Sequence, residues 1–151
     1  KLVVEKLFGT VNSKKIIILG FSFKANTNDT RESSAIQIST DLLAEGANLE
    51  IHDPKVLKSQ IEKDLKISSE NKNNGIGNWS YIENFEIAFS NADAVIILTE
   101  WEEYKKLNWV KLSKLMRKPA WLFDSRSLID NKTLKKLKLK IWRVGDGSLI
   151  K

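Results

Sequence analysis

The sequence predicts an α/β domain of three layers, in which a mostly parallel sheet of about five or six strands lies between two sets of helices. Three observations carry this reading. Short apolar runs recur at residues 16–19, 94–98 and 121–123, with strand-length segments interrupted by one charged residue at 49–51 and 141–144, and unbroken apolar runs of that length mark strands covered on both faces. Stripes of apolar residues at helical spacing lie between them. Polar segments follow several of the runs, at the sheet edge where ligands of open α/β domains sit.

Residues 2–11 place Val3, Val4, Leu7, Phe8 and Val11 at helical spacing, with Gly9 near the end and no capping residue in front. The expectation is the tail of a longer helix; a short N-terminal helix is the other reading. Ile16, Ile17, Ile18 and Leu19 form the first strand and Gly20 ends it. The loop that follows carries Lys24, Asn26, Asn28, Asp29 and Arg31. Two cations there suit a phosphorylated ligand, and a plain solvated loop accounts for them equally well. Only Gly20 is present, so the GxGxxG dinucleotide fingerprint is absent.

Ala35, Ile36, Ser39, Leu42 and Leu43 share one helical face, with Ser33 or Ser34 at the N-cap and Gly46 past the end. Strand 49–51 completes a βαβ unit, right-handed by general preference. Asp53 stands where an acid would grip a ribose, but Pro54 directly after it favours a strand-ending turn. Leu57, Ile61 and Leu65 predict a short helix. Residues 68–80 read as a polar surface insertion whose Gly75-Ile76-Gly77 is too weak for a phosphate loop.

A helix over 85–91 leads to the clearest buried strand, 94–98, with Thr99, Glu100 and Trp101 at its carboxyl end. No second acid or histidine is placed to work with Glu100, which favours a structural over a catalytic role. Trp109, Leu112, Leu115 and Met116 build another helix, Pro119 stops it, and 121–123 is the next strand. Asp124-Ser125-Arg126 follows, setting a cation on the same edge as Lys24. Either the two cations converge on one anionic ligand, or Arg126 pairs with Asp124 and pins the turn. A helix near 134–137, a strand over 141–144 and a frayed tail over 145–151 close the chain.

The length of 151 residues suits one domain, and 42% hydrophobic residues suffice for a core. No apolar run approaches a bilayer span, and the first residues lack a secretory pattern, so a soluble protein in a cytoplasmic setting with no membrane partner is expected. With no cysteine and a single histidine, His52, the chain has no disulfide, no thiol nucleophile and no cluster for zinc. The net charge of +6 favours anionic partners. The densest cations, Lys135, Lys136, Lys138 and Lys140, lack interleaved aromatics, which disfavours nucleic acid.

Gly20-Phe21-Ser22-Phe23-Lys24, Thr27 and Asp29-Thr30-Arg31-Glu32-Ser33-Ser34 resemble the GFxFKxxTxDxRES signature of the nucleotide-sugar 6-dehydrogenases, the UDP-glucose/GDP-mannose dehydrogenase family. His52-Asp53-Pro54, Thr99-Glu100-Trp101 with Leu107-Asn108-Trp109, and Phe123-Asp124-Ser125-Arg126 follow in the order and spacing of its carboxyl-terminal, UDP-binding domain. The resemblance implies a Rossmann-like domain over 13–151, preceded by the end of an inter-domain helix over 1–12. It also implies a homo-oligomeric enzyme that oxidises the C6 alcohol of a nucleotide sugar to a carboxylate, with two NAD and a covalent thiohemiacetal on a cysteine.

Since cysteine is absent here, the resemblance places the catalytic thiol, and most of the NAD seat, in an amino-terminal dehydrogenase domain; the segment alone is expected to be inactive. By motif position, Phe23, Lys24 and Arg126 resemble the residues that hold the UDP-sugar, and Arg31 the one that reaches across the cleft to the NAD pyrophosphate. A guanidinium fork matches phosphate oxygens. Ser125 departs from the glycine common at its position, which adds a Cβ beside the ligand. The TRESS ending and the TEW and LNW pair resemble the enzymes of UDP-glucose more than those of GDP-mannose or N-acetylated UDP-hexosamines. A different class of function, a basic module for nucleic acid or an acidic partner, is the remaining alternative.

Overall fold

Strand β1 (Lys15–Leu19) sends Ile17 and Leu19 to one face of the sheet and Ile16 and Ile18 to the other, and all four are fully buried. Each such side chain contributes about 1.5–3 kcal/mol of hydrophobic stabilisation, which is why so short a run specifies a central strand. The structure, a computed structural model, describes residues 1–6, 9–70, 76–144 and 149–150.

After β1 come helix α2 (Ser34–Ala44), β2 (Asn48–His52), α3 (Lys58–Leu65), β3 (Trp79–Tyr81) and α4 (Phe85–Phe89). The chain continues through β4 (Ala94–Ile97), α5 (Glu102–Lys105), α6 (Trp109–Leu115), β5 (Trp121–Asp124), α7 (Asn131–Leu134), β6 (Lys140–Arg143) and β7 (Leu149–Ile150). A short α1 (Leu2–Lys6) precedes them all.

The seven strands lie in the order β3-β2-β1-β4-β5-β6-β7, parallel except for β7. Ile17 pairs with Glu50 on one side and Val95 on the other. The chain therefore winds outward from β1 in one direction and from β4 in the other, and the crevice between their carboxyl ends is the topological switch point. Phe89 of α4 and Trp109 and Leu112 of α6 cover one face, while Ala35, Leu42 and Leu43 of α2 with Ile61 and Leu65 of α3 cover the other.

Helix α2 starts where its sequence directs: Ser33 is the N-cap and its Oγ accepts the Ala35 N–H at 3.2 Å. At the far end Gly46 takes φ +91°, a conformation that glycine adopts at little cost.

Several expectations need correction. The first helix is described only over Leu2–Lys6; Leu7 and Phe8 lie outside the described residues, and Val11 is buried beyond the helix in irregular chain. The predicted insertion over 68–80 ends in strand β3, whose Trp79 is buried and donates its indole N–H to the Ile67 carbonyl at 2.7 Å. Gly77 packs so closely on the backbone of Ala47 that a Cβ would come within 1.7 Å of its carbonyl oxygen. Its glycine serves packing, and Gly75 lies outside the described residues. In the predicted tail, Leu149–Ile150 pairs antiparallel with β6, and 145–148 and 151 lie outside the described residues. The last helix begins earlier than expected, at Asn131, because Asp130 caps it by accepting the Thr133 N–H at 2.6 Å.

Candidate functional site

Three β-to-α loops meet at the carboxyl edge, and one buried carboxylate organises them. Asp53 is fully buried just past β2. Its Oδ2 accepts the backbone N–H groups of Phe21 and Ser22, at 2.8 and 2.9 Å, and the Trp101 indole N–H at 3.2 Å. Its Oδ1 accepts the N–H groups of Lys55 and Val56, at 2.9 and 3.0 Å. Five donors leave the carboxylate little capacity for a ribose hydroxyl, in accord with the strand-ending turn favoured by Pro54. The acid ties the loop after β1, its own turn and the segment after β4 into one unit. The sequence shows this acid but not its donors, which come from positions far apart in the chain.

The loops after β1 and β4 also touch directly. Thr99, fully buried, donates its hydroxyl to the Ser22 carbonyl at 3.0 Å, and Ser33 donates its Oγ–H to the Phe21 carbonyl at 2.8 Å. Gly20 adopts φ +101°, and a Cβ there would stand 2.4 Å from both Cβ and Oγ1 of Thr99. Glycine is required at this position by conformation and by space alike.

On this frame the predicted site residues occupy the same edge. Phe23 is 47% exposed, large for an aromatic, and Lys24 is exposed beside it; among the described residues neither has a charged or ring partner. Arg126 follows β5 and donates Nε–H to the Leu98 carbonyl at 2.9 Å, and Nε lies 3.4 Å from Oε2 of Glu100. Ser22 to Thr99 and Leu98 to Arg126 thus form a continuous link from the Lys24 loop to the Arg126 turn.

The alternative in which Asp124 pairs with the Arg126 guanidinium is not what the chain adopts. Asp124 is fully buried and accepts backbone N–H groups of Leu128 and Ile129, each at 2.9 Å, so it shapes the turn and leaves the guanidinium to face outward. Glu100 and Arg126 are each about two-fifths exposed, so their pairing contributes at most about 1 kcal/mol and yields readily to a competing anion. Ser125 donates its hydroxyl to the Ile97 carbonyl, which turns its side chain back onto β4.

Arg31 is 89% exposed and forms a two-pronged pair with Asp29, Nε to Oδ1 at 3.0 Å and Nη2 to Oδ2 at 2.9 Å. Those hydrogen bonds, and one from the Arg31 backbone, hold the Asp29 carboxyl down at about 2. Asn26, Thr27, Asn28 and Lys55 enclose a polar recess of about 420 Å³ beside this pair. Lys55, which the sequence reading did not single out, lines this recess from the turn after His52-Asp53-Pro54.

Beneath the edge, the Tyr104 hydroxyl donates to the His52 carbonyl at 3.1 Å and lies 3.0 Å from the His52 Nδ1. One hydroxyl proton cannot serve both, so Nδ1 carries the proton of the second contact. Burial, opposed by the nearby Asp53 charge, lowers the His52 pKa below its usual value. Trp109 donates its indole N–H to the Tyr104 carbonyl at 2.7 Å, so Trp101 and Trp109 both serve as architecture. Among the described residues no three metal-ligating side chains come together.

The UDP-binding domain profile of the UDP-glucose/GDP-mannose dehydrogenases matches residues 17–131. The chain is 45% identical to the UDP-glucose 6-dehydrogenase of Bos taurus over 130 residues, covering 85% of this chain and 26% of the relative. It is 40% identical to the Caenorhabditis elegans UDP-glucose 6-dehydrogenase over 144 residues, 95% of this chain and 30% of that one. The chain thus spans between a quarter and a third of the length of these relatives. In fold it resembles an NDP-N-acetyl-D-galactosaminuronic acid dehydrogenase from Methanosarcina mazei, with TM-score 0.70 and 21% identity over 95% of this chain and 27% of the other. A UDP-glucose dehydrogenase from Pyrobaculum islandicum gives 0.60 and 24% over 95% and 28%.

Proposed function

Because the chain belongs to the UDP-glucose/GDP-mannose dehydrogenase family, as its UDP-binding domain, we propose that it holds the nucleotide of UDP-glucose for a dehydrogenase that oxidises the sugar to UDP-glucuronate. The observation that carries the reading is the linked edge: Arg126 anchored on Leu98, and Thr99 anchored on the Lys24 loop. Lys24 and Arg126 supply two cations for a diphosphate, the guanidinium replacing Glu100 with phosphate oxygens. Phe23, exposed at 47%, supplies an apolar face for the ligand. The curated relatives favour glucose over an N-acetylated hexosamine or GDP-mannose, since both are UDP-glucose 6-dehydrogenases.

NAD would supply the hydride acceptor for such an oxidation. This chain has no glycine-rich dinucleotide cradle, so its contribution is Arg31, whose exposed guanidinium fits a pyrophosphate presented from outside the domain. Asp29 orients that fork in advance. The thiol chemistry and the larger part of the NAD site belong to an amino-terminal dehydrogenase domain, to which residues 1–12 connect, and the full-length enzyme would be a homo-oligomer.

Calorimetric titration of UDP tests the reading. Arg126→Ala is expected to weaken binding by about 1.5–3 kcal/mol, the scale of a hydrogen bond to a charged group, or roughly ten- to a hundredfold. A full-length enzyme carrying this domain that fails to bind UDP would refute it.

A further inference from the structure

Glu100 stands inside the nucleotide edge, and its partner is one of the cations assigned to the ligand. Its Oε2 lies 3.4 Å from Nε of Arg126, and both side chains are about two-fifths exposed. Among the described residues Glu100 has no other ion-pair or hydrogen-bond partner. Glu102, two residues on, is paired instead with Lys105 of its own helix.

The chain on either side of Glu100 is fixed. Thr99 is fully buried with its hydroxyl on the Ser22 carbonyl, and Trp101, 3% exposed, gives its indole N–H to Asp53. The Leu98 carbonyl of the same segment holds Nε of Arg126. An anion that takes the guanidinium therefore moves only the Glu100 side chain. The carboxylate stays within a side chain's reach of the bound phosphates and opposes whatever charge they carry. At a separation of about 5 Å in water containing salt, each unit of ligand charge then costs about twofold in affinity.

We infer that Glu100 is a specificity-determining residue: its negative charge, fixed beside Arg126, discriminates against a free nucleoside diphosphate in favour of one esterified with a sugar. The inference rests on the nucleotide reading above and deepens it. Free UDP ends in a phosphate monoester, which carries close to two charges above its second pKa of about 6. Esterification with the sugar removes one of them. Lys24 and Arg126 by themselves reward the more highly charged ligand, and Glu100 subtracts from that reward in proportion to the charge. A carboxylate that merely held Arg126 in place would act on both ligands alike.

Calorimetry on the full-length enzyme carrying this domain, without NAD so that nothing turns over, compares UDP-glucose with UDP at about pH 8, where the terminal phosphate is fully ionised. Glu100→Gln is expected to bind both ligands more tightly and to shift the ratio of their affinities about twofold toward UDP, the effect of one ligand charge. The shift should shrink in about 0.5 M salt. Glu100→Asp, which keeps the charge, should keep the parental order of affinities. The side chain is exposed, and an unchanged unfolding midpoint verifies the fold of each variant. An unaltered ratio in Glu100→Gln, weaker binding of both ligands, or a shift indifferent to salt would each overturn the inference. Arg126→Ala is titrated alongside. If UDP binds the parent and this variant weakens it while the Glu100→Gln ratio stays fixed, the specificity role alone falls; if UDP does not bind the parent, the nucleotide reading falls with it.

Discussion

Replacing Asp53 by asparagine removes one acceptor oxygen from a buried hub and puts an NH2 group in its place. Whichever way the amide turns, one set of donors loses its partner: either Phe21, Ser22 and Trp101, or Lys55 and Val56. The cheaper arrangement keeps the first three and leaves the amide facing the N–H groups of Lys55 and Val56. Two lost hydrogen bonds to a charged acceptor, partly recovered by water at Lys55, cost about 3–5 kcal/mol. For a domain of this size the thermal midpoint should drop by about 6–20 °C. Urea and thermal unfolding followed by tryptophan fluorescence and far-ultraviolet circular dichroism measure both quantities. A variant within about 1 kcal/mol of the parent would show that these N–H groups find other partners, and the account of Asp53 as the organiser of the edge would be wrong.

Gly20→Ala is expected to cost about 2 kcal/mol or more, from a positive φ and from collision with Thr99, and urea denaturation should show it as a lowered midpoint with an unchanged slope. The Asp29 carboxyl should titrate by NMR near 2 and return toward 3.8 in Arg31→Ala. Since its folded pKa is depressed, the pairing is complete above about 3.8 and fades as pH falls through 2. His52 should titrate below 6.5. Its unfolded form takes up the proton more readily, so unfolding free energy should decline as pH drops below 6.5, and a His52→Gln variant should lack that component.

The central strands were legible because burial on both faces leaves an unbroken apolar run, as in Ile16, Ile17, Ile18 and Leu19. β3 was not legible: Trp79-Ser80-Tyr81 is short, alternates in polarity and adjoins a polar segment, so local composition outweighed its pairing with Leu49 and Ile51. Arg126 and Lys24 were correctly placed on one edge by motif and strand order. The bonds that fix their surroundings depend on long-range partners such as Asp53 with Trp101, and no periodicity encodes those. The Arg31 pair with Asp29 was within reach, because two residues of separation with opposite charge is a local signal.

The strand order has a consequence for how the chain acquires its fold. Every neighbour of β1 is parallel to it, and Ile16 meets Ala94 only after the whole β1-to-β3 half has been laid down. During synthesis that half emerges first, with one side of β1 unpaired and its isoleucines awaiting β4. Non-local pairing of this kind is slow, and an open apolar edge is prone to join the wrong chain while it waits. A chain halted before residue 94 should therefore aggregate, and release beyond β4 should be the point at which solubility is gained.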